Sequence, residues 1–289
     1  MRILLTGATG QVGHALAPLL ARLGHLTRAT RADLDLADPT NVARKVTAWA
    51  PDIIVNAAAF TAVDAAEQDR ELAFRVNADA PGIIARTAAA RGALLVHFST
   101  DYVFSGTGRR PYREDDPTGP CNAYGASKLA GEEAIRASGA RHLILRTAWV
   151  YGAYGQNFAR TMLRLARERE TLRVVADQRG APTWAGRLAA TTAQLLQHAA
   201  PPSGTYHLTN AGETTWYDFA VALLAADPAR HEQRCRAVEP ITTADYPTPA
   251  RRPPYSVLDT SLIQRTFGIT LPDWRDDVPR ALSPGSSAT

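Results

Sequence analysis

The chain has 289 residues, 45% of them apolar and 21% charged, with a formal net charge of +4 and two cysteines. A length of this order buries roughly 73% of the extended chain's surface, enough for a core without disulfide or zinc staples, and Cys121 and Cys235 form no CxxC pair. The basic residues are scattered, which argues against a nucleic-acid partner. The first apolar run, in MRILLTGATG, is too short for a leader or a membrane span, so a cytoplasmic protein without a membrane anchor is expected.

Short apolar strands alternate with helical patterns through the first half, as in parallel strands joined by helical crossovers. RILLT at 2–6 reads as the first strand, followed by a glycine turn and a helix carrying Leu16, Leu19, Leu20 and Leu23, with Pro18 inside it. A second strand is expected near 26–30. Asp38 and Pro39 read as the N-cap and first position of a helix running to about Trp49. Further strands are DIIVN (52–56), ALLVHF (93–98) and HLILR (142–146), separated by helical stretches at about 64–91 and 122–138. Beyond 150 the alternation fades. Helices are expected near 156–169, 186–199 and 215–226, strands near 172–176 and 205–208, a proline-crowded loop from Glu239 to Pro254, and a frayed end at SPGSSAT. The expected fold class is α/β: a Rossmann-like, doubly wound parallel sheet with a smaller, partly discontinuous α/β cap. Residues 1–150, with return segments at about 186–226, would form the dinucleotide-binding domain; 151–289, mainly 151–185 and 227–289, would form the substrate cap.

Gly7, Gly10 and Gly13 stand in GATGQVG between the first strand and first helix. A strand, a tight turn and a helix N-terminus place free backbone N–H groups and the positive end of a helix dipole where a pyrophosphate can sit. The spacing G-x-x-G-x-x-G differs from the ordinary dehydrogenase G-x-G-x-x-G and points to another dinucleotide-binding group. At the end of the second strand an acidic residue would mark an NAD-selective site; this chain has Thr30 and Arg31, with Arg28 nearby, so NADP(H) is expected to be preferred, or both cofactors accepted. A merely solvated Arg31 is the alternative.

Tyr124 and Lys128 are four apart in NAYGASKLAGE, which Asn122 is placed to cap, so both side chains share one helix face. The only lysines are Lys45 and Lys128, and a compact ammonium can serve a cofactor ribose and a phenol together where a guanidinium cannot. Reducing a carbonyl requires a proton donor as hydride arrives. Lowering a phenol's ordinary value of about 10 by three units takes roughly 4 kcal/mol, expected from Lys128 together with an oxidised nicotinamide ring. Thr100 closes the fourth strand in STDYVF and offers a hydroxyl to the same carbonyl oxygen, at the strand end where open parallel sheets bind ligands.

With these residues the chain resembles the extended short-chain dehydrogenase/reductases and, more narrowly, the dTDP-4-dehydrorhamnose reductase family. The resemblance runs through TGATGQVG, NAAAFTAVDAAE (56–67), STDYVFSG (99–106), YGASK (124–128), RTAWVYG (146–152), DQRGAPT (177–183) and RRPPYSVLDTS (251–261). It implies NADPH-dependent reduction of the C4 ketone of a dTDP-4-dehydro-L-rhamnose, with NADH possible as a substitute, and Thr100, Tyr124 and Lys128 as the catalytic set. By the same resemblance Gln11, Val12, Arg31, Asp35, Leu36, Ala57, Ala58 and Ala59 join the glycines around the cofactor. Asp101, Tyr102, Trp149 and Asn157 join Thr100 around the sugar, and Arg251, with Arg252 beside it, meets the diphosphate. Inter-domain packing for Trp149 and a solvated arginine pair stay open, as do another nucleotide-sugar reductase or epimerase, and a non-catalytic nucleotide-binding subunit. Dimeric members of the family share magnesium through glutamates after the third glycine and beyond G-x-P-T. This chain has His14-Ala15 and Trp184-Ala185-Gly186 there, so no metal is expected and a monomer or weak dimer is. Turnover and elution volume in gel filtration should therefore be the same with and without EDTA; a dimer that EDTA dissociates contradicts this.

Overall fold

The computed structural model describes residues 1–283; residues 284–289, where most of the frayed end is expected, lie outside the described residues. In chain order the first half contains β1 (Arg2–Thr6), α1 (Gln11–Ala21), β2 (His25–Ala29), α2 (Pro39–Trp49), β3 (Ile53–Asn56), α3 (Val63–Gln68), α4 (Arg70–Phe74), α5 (Ala80–Arg91), β4 (Leu94–Thr100), α6 (Ala123–Ala137) and β5 (Arg141–Thr147). The second half adds β6 (Val150–Tyr151), α7 (Phe158–Glu168), β7 (Thr171–Val175), β8 (Arg179–Gly180), β9 (Thr183–Trp184), α8 (Ala185–Leu195), β10 (Gly204–His207), β11 (Thr214–Thr215), α9 (Trp216–Ala225), β12 (Ala237–Ile241), α10 (Ser261–Phe267) and α11 (Trp274–Leu282).

Six strands form one parallel sheet in the order β10-β5-β4-β3-β1-β2. The fold is thus α/β and doubly wound, as expected. Successive strand residues face opposite layers. Ile3, Leu5, Val55, Val96 and Leu145 pack with α1, α8 and α10, whereas Leu4, Ile54, Leu95 and Ile144 pack with α2, α5 and α6. After β2 the chain crosses back over β1 to β3, so the winding reverses at β1, and the crevice at such a reversal is where these sheets hold ligands.

The second lobe is built on Tyr151, Leu172, Val174, Trp184, Phe219, Leu223, Trp274 and Val278. α8 and β10 return to the main sheet, and α9, which falls within the segment 186–226, packs in this second cluster. Ile263 and Phe267 of α10 go back to the main core, so the C-terminal stretch is divided between the lobes.

Two local expectations change. The single helical stretch at 64–91 is broken: Asp69 ends α3 and caps α4 by accepting from the Leu72 N–H at 3.1 Å, and Arg75–Asp79 forms a π turn. Pro81 follows in the first turn of α5 and has no N–H for the carbonyl four residues back, at Asn77. The proline-crowded loop also starts later than expected. Glu239, Pro240 and Ile241 lie in β12, paired in parallel with β7 in a two-stranded sheet, and an edge strand tolerates a proline.

Helix α6 is fastened to the sheet by a fully buried ion pair. Arg146 Nε and Nη2 donate to the two Glu132 oxygens at 2.9 and 2.7 Å, Ser99 donates to Oε1 at 2.6 Å and Arg136 to Oε2 at 3.1 Å. Burial alone would raise the Glu132 carboxyl, but the hydrogen bonds and charge of Arg146 overcome it and hold it below its ordinary value. Its contribution is therefore complete above the ordinary glutamate range and lost as the pH falls through the lowered value. Glu132→Ala, which strands Arg146, should lower stability at neutral pH by about 3–5 kcal/mol, read as a shift of the urea midpoint, with a smaller difference from the parent in acid.

Candidate active site

Gly7 lies in left-handed backbone at φ 67°. A Cβ there would come within 2.6 Å of the Ala58 nitrogen, and one at Gly13 would collide with the Gly7 carbonyl. One glycine thus permits the turn and another lets α1 sit against it. Gly10 is the N-cap of α1 and brings no side chain to its first N–H groups, leaving the helix end open toward the crevice.

From this turn a cleft of about 560 Å³ runs along the strand ends. It is lined by Gly7, Gly10, Gln11, Val12, Arg31, Asp35, Leu36, Ala57, Ala58, Ala59, Tyr124 and Lys128. Every cofactor residue expected from sequence except Gly13, which acts behind the turn, is on its wall. The Arg31 side chain is 82% exposed, and its ion-pair partner Asp35 is 4.0 Å away. The nearby Asp33 is turned back onto the Thr30 N–H and hydroxyl at 3.0 and 2.7 Å. The edge at the end of β2 therefore presents an exposed cation held only by one long ion pair, which suits a 2′-phosphate. Gly155 and Gln156 of the second lobe also line the cleft; nothing in their sequence marked them.

Asn122 caps α6 as expected, accepting from the Gly125 N–H at 2.8 Å. One turn on, Lys128 is 1% exposed and its Nζ lies 2.7 Å from the Phe98 carbonyl and 3.0 Å from His97 Nε2. Burial lowers the amine to about 8, against the charge of Glu132. Tyr124 departs from expectation. Burial pushes its phenol up to about 12, with the Thr100 hydroxyl pulling it down and the Asp101 charge pushing it further up. The lysine is committed to β4, and desolvation of the phenolate prevails. The chain alone thus holds Tyr124 as a protonated phenol at neutral pH.

Thr100 closes β4, and its hydroxyl donates to Asp101 Oδ1 at 2.9 Å and accepts from the Tyr102 N–H at 3.2 Å. Asp101 is buried against it. The Tyr102 ring meets Tyr124 edge to face at 6.0 Å, and burial raises its phenol also. Trp149 takes a left-handed φ of 46° and lies flat on Trp216, centroids 3.5 Å apart, against Gly180. Trp216 is a stacking partner the sequence did not single out. Asn157 is spent elsewhere: it caps α7, and its Nδ2 donates to Gln11 Oε1 and the Gly152 carbonyl, both at 2.9 Å. Arg251 borders a second cavity of about 430 Å³ with Asp177, Thr243 and Thr248. Arg252 is not a free solvated partner, since it forks onto Asp64 at 2.9 and 2.7 Å. Among the described residues no three His, Cys, Asp or Glu side chains cluster as a metal site.

A glycine turn at the sheet's reversal point, joined by one cleft to a tyrosine and a lysine, with a strand-end threonine beside the tyrosine, defines a Rossmann-type reductase of the short-chain class. The chain belongs to the family described as RmlD substrate binding domain, which it matches over residues 1–286. It is 51% identical over 285 residues to the dTDP-4-dehydrorhamnose reductase of Burkholderia thailandensis, covering 95% of this chain and 96% of that one. It is 48% identical to the enzyme of that name from Escherichia coli K12, covering 98% and 97%. The crystal structure of dTDP-4-dehydrorhamnose reductase from Bacillus anthracis in complex with NADP superposes with a TM-score of 0.90 at 36% identity, over 97% and 98% of the two chains.

Gly7→Ala would combine an unfavourable φ with a collision against the backbone of Ala57 and Ala58, which cannot yield as a side chain can. NADPH affinity measured by calorimetry should fall at least about 30-fold, equivalent to about 2 kcal/mol, with the far-ultraviolet dichroism unchanged.

Proposed function

We propose that this chain reduces the C4 ketone of dTDP-4-dehydro-L-rhamnose to dTDP-L-rhamnose with NADPH. The observation that carries the reading is a protonated phenol, Tyr124, at the end of the cofactor cleft with Thr100 beside it. The names of the relatives, about half identical over nearly the whole chain, give the substrate.

The glycine turn fits a dinucleotide because its backbone leaves no room for Cβ atoms where the chain doubles back, and its helix end is uncapped by any side chain. NADPH supplies the hydride when bound. Tyr124 holds the proton that the ketone oxygen takes up, and Thr100 orients that oxygen through its hydroxyl. Lys128 has three N–H groups; His97 and Phe98 take two, and the third remains for a ribose hydroxyl. Arg31 recognises the 2′-phosphate. Trp149, supported by Trp216, and Tyr102 give the deoxysugar an apolar wall, while Asp101 lies behind Thr100. Arg251, at the rim, meets the diphosphate. In this reading residues 1–150, α8 and β10 hold the cofactor, and the second lobe holds the sugar nucleotide.

The chain is also proposed to act in the cytoplasm as a monomer or weak dimer, without magnesium, nucleic acid or membrane. No helix among the described residues is long and apolar enough to cross a bilayer, and His14, near where a bridging glutamate would stand, stacks on Tyr154 at 3.8 Å.

Tyr124→Phe should lower kcat by about 10³-fold, measured as NADPH oxidation on enzymatically generated dTDP-4-dehydro-L-rhamnose, with NADPH affinity changed less than threefold. Near-parental turnover removes Tyr124 from the chemistry.

A further inference from the structure

Asp101 is 2% exposed on the short 3-10 turn Asp101–Val103 that follows β4. Its two oxygens are unequal. Oδ1 receives the Thr100 hydroxyl hydrogen at 2.9 Å, whereas Oδ2 is buried with no hydrogen-bond partner. It makes no ion pair among the described residues. A bare buried carboxylate oxygen is an expensive group to leave charged.

Thr100 has one hydrogen to give and two lone pairs. The hydrogen goes to Asp101, and one lone pair takes the Tyr102 N–H at 3.2 Å. A threonine in that state has no donor left for a substrate carbonyl. A proton on Asp101 reverses the direction of the Asp101–Thr100 bond: the carboxylic acid donates to the second lone pair, and the threonine hydrogen is released toward the side of the Tyr124 phenol, which the Thr100 hydroxyl reaches.

We propose that Asp101 is a positioning residue that acts through Thr100: its neutral carboxyl turns the threonine hydroxyl outward to the substrate ketone, and its carboxylate withdraws it. The role rests on the reduction assigned above but adds a proton that never reaches the product. It is bound by Asp101 throughout, donated only as a hydrogen bond, so no bond order changes.

The surroundings make the neutral form accessible. Burial raises Asp101 to about 7, against the lowering effect of the Ser256 and Thr100 hydroxyls and of the backbone N–H groups of Asp101 and Tyr102. The titratable groups facing it are the phenols of Tyr102, on its own turn, and Tyr124, on α6, both of which its charge raises further. Arg252 acts on Tyr102 but is forked onto Asp64. Lys128, also on α6, is held by His97 and Phe98. Below its value Asp101 is protonated and Thr100 faces the ketone; above it, Thr100 is turned away.

Two measurements on the full-length protein test this. The first is an infrared titration without substrate. A carboxylic acid C=O band absent from Asp101→Asn should persist to about pH 7; its loss below about pH 5, the ordinary carboxyl range, overturns the proposal. The band reads Asp101 whether or not the assigned sugar is the true substrate. The second compares Asp101→Asn, whose amide cannot ionise, with the parent across pH. Because burial keeps Tyr124 protonated from pH 6 to pH 9 with or without the Asp101 charge, and Asp101 does not act on Lys128, the ratio of their kcat/KM values isolates Asp101, and it should rise about tenfold in favour of the variant over that range. In a Thr100→Val background the same ratio should stay constant. A ratio flat with pH in the presence of Thr100, or one that still rises without it, refutes the assignment.

Discussion

An ammonium group almost sealed from water governs the geometry of this site. Lys128 is stable there only because β4 presents two acceptors to it at once, the Phe98 carbonyl at 2.7 Å and His97 Nε2 at 3.0 Å. The imidazole is itself held. Its Nδ1 lies 3.0 Å from the Asn56 amide, which in turn lies 2.6 Å from the Thr6 hydroxyl. Thr6, Asn56 and His97 occupy matching register positions on β1, β3 and β4, so a polar row crosses three parallel strands just below their carboxyl ends. Burial and the neighbouring charge of Lys128 hold His97 well below its ordinary value, so it serves as a neutral ring. Fixing Lys128 fixes the rotation of α6, and with it Tyr124 one turn earlier. Glu132, one turn later, is locked by Arg146 on β5. Helix α6 is thereby pinned at two successive turns to two adjacent strands.

The second lobe is joined to the cofactor turn by contacts of a different kind. Asn157 bridges α7 to Gln11, Tyr154 stacks on His14, and a Cβ on Gly155 would touch the Gln11 side chain. On the other side of the cleft Asp64 holds both the Ala250 N–H and the Arg252 guanidinium, while Asn122 donates to the Arg251 carbonyl at 2.8 Å. The residue that caps α6 thus also anchors the C-terminal loop. These links are polar and partly exposed, unlike the core pairs beneath them.

Much of this was legible in the sequence because its signals are local. The run RILLT followed by three spaced glycines needs only neighbouring residues to declare a strand, a turn and a helix end, and Asp38-Pro39 and Asn122 cap as such residues do. Local signals failed where a distant partner decides. His97, Asn56 and Thr6 lie in strands that read simply as apolar runs, and only sheet register shows them to be one row. Asn157 looks like a polar residue facing a ligand, yet Gln11, far earlier in the chain, claims it. Pro240 suggests a loop, and only its pairing with Val174 makes it edge strand. Trp149 reads from sequence as a flat apolar surface, but its stacking on Trp216 is tertiary.

The phenol shows how charge reasoning from sequence depends on where the folded chain directs the charge. Tyrosine and lysine four apart suggested an ammonium acidifying a phenol together with an oxidised nicotinamide ring. The ammonium is instead engaged by β4, and burial shifts Tyr124 from 10 to about 12, penalising the phenolate by about 3 kcal/mol. For a reductase this direction is useful. A group that must surrender a proton to a forming alkoxide should be fully protonated beforehand, and an alkoxide is a stronger base than a phenolate, so even a weakened phenol gives up its proton downhill. The penalty falls on that transfer, making it less downhill, while the same desolvation favours restoring the tyrosine's proton afterwards. Burial therefore opposes the donation and favours the recharging, and in the proposed reading Lys128 holds a ribose and limits the phenolate's cost while it exists.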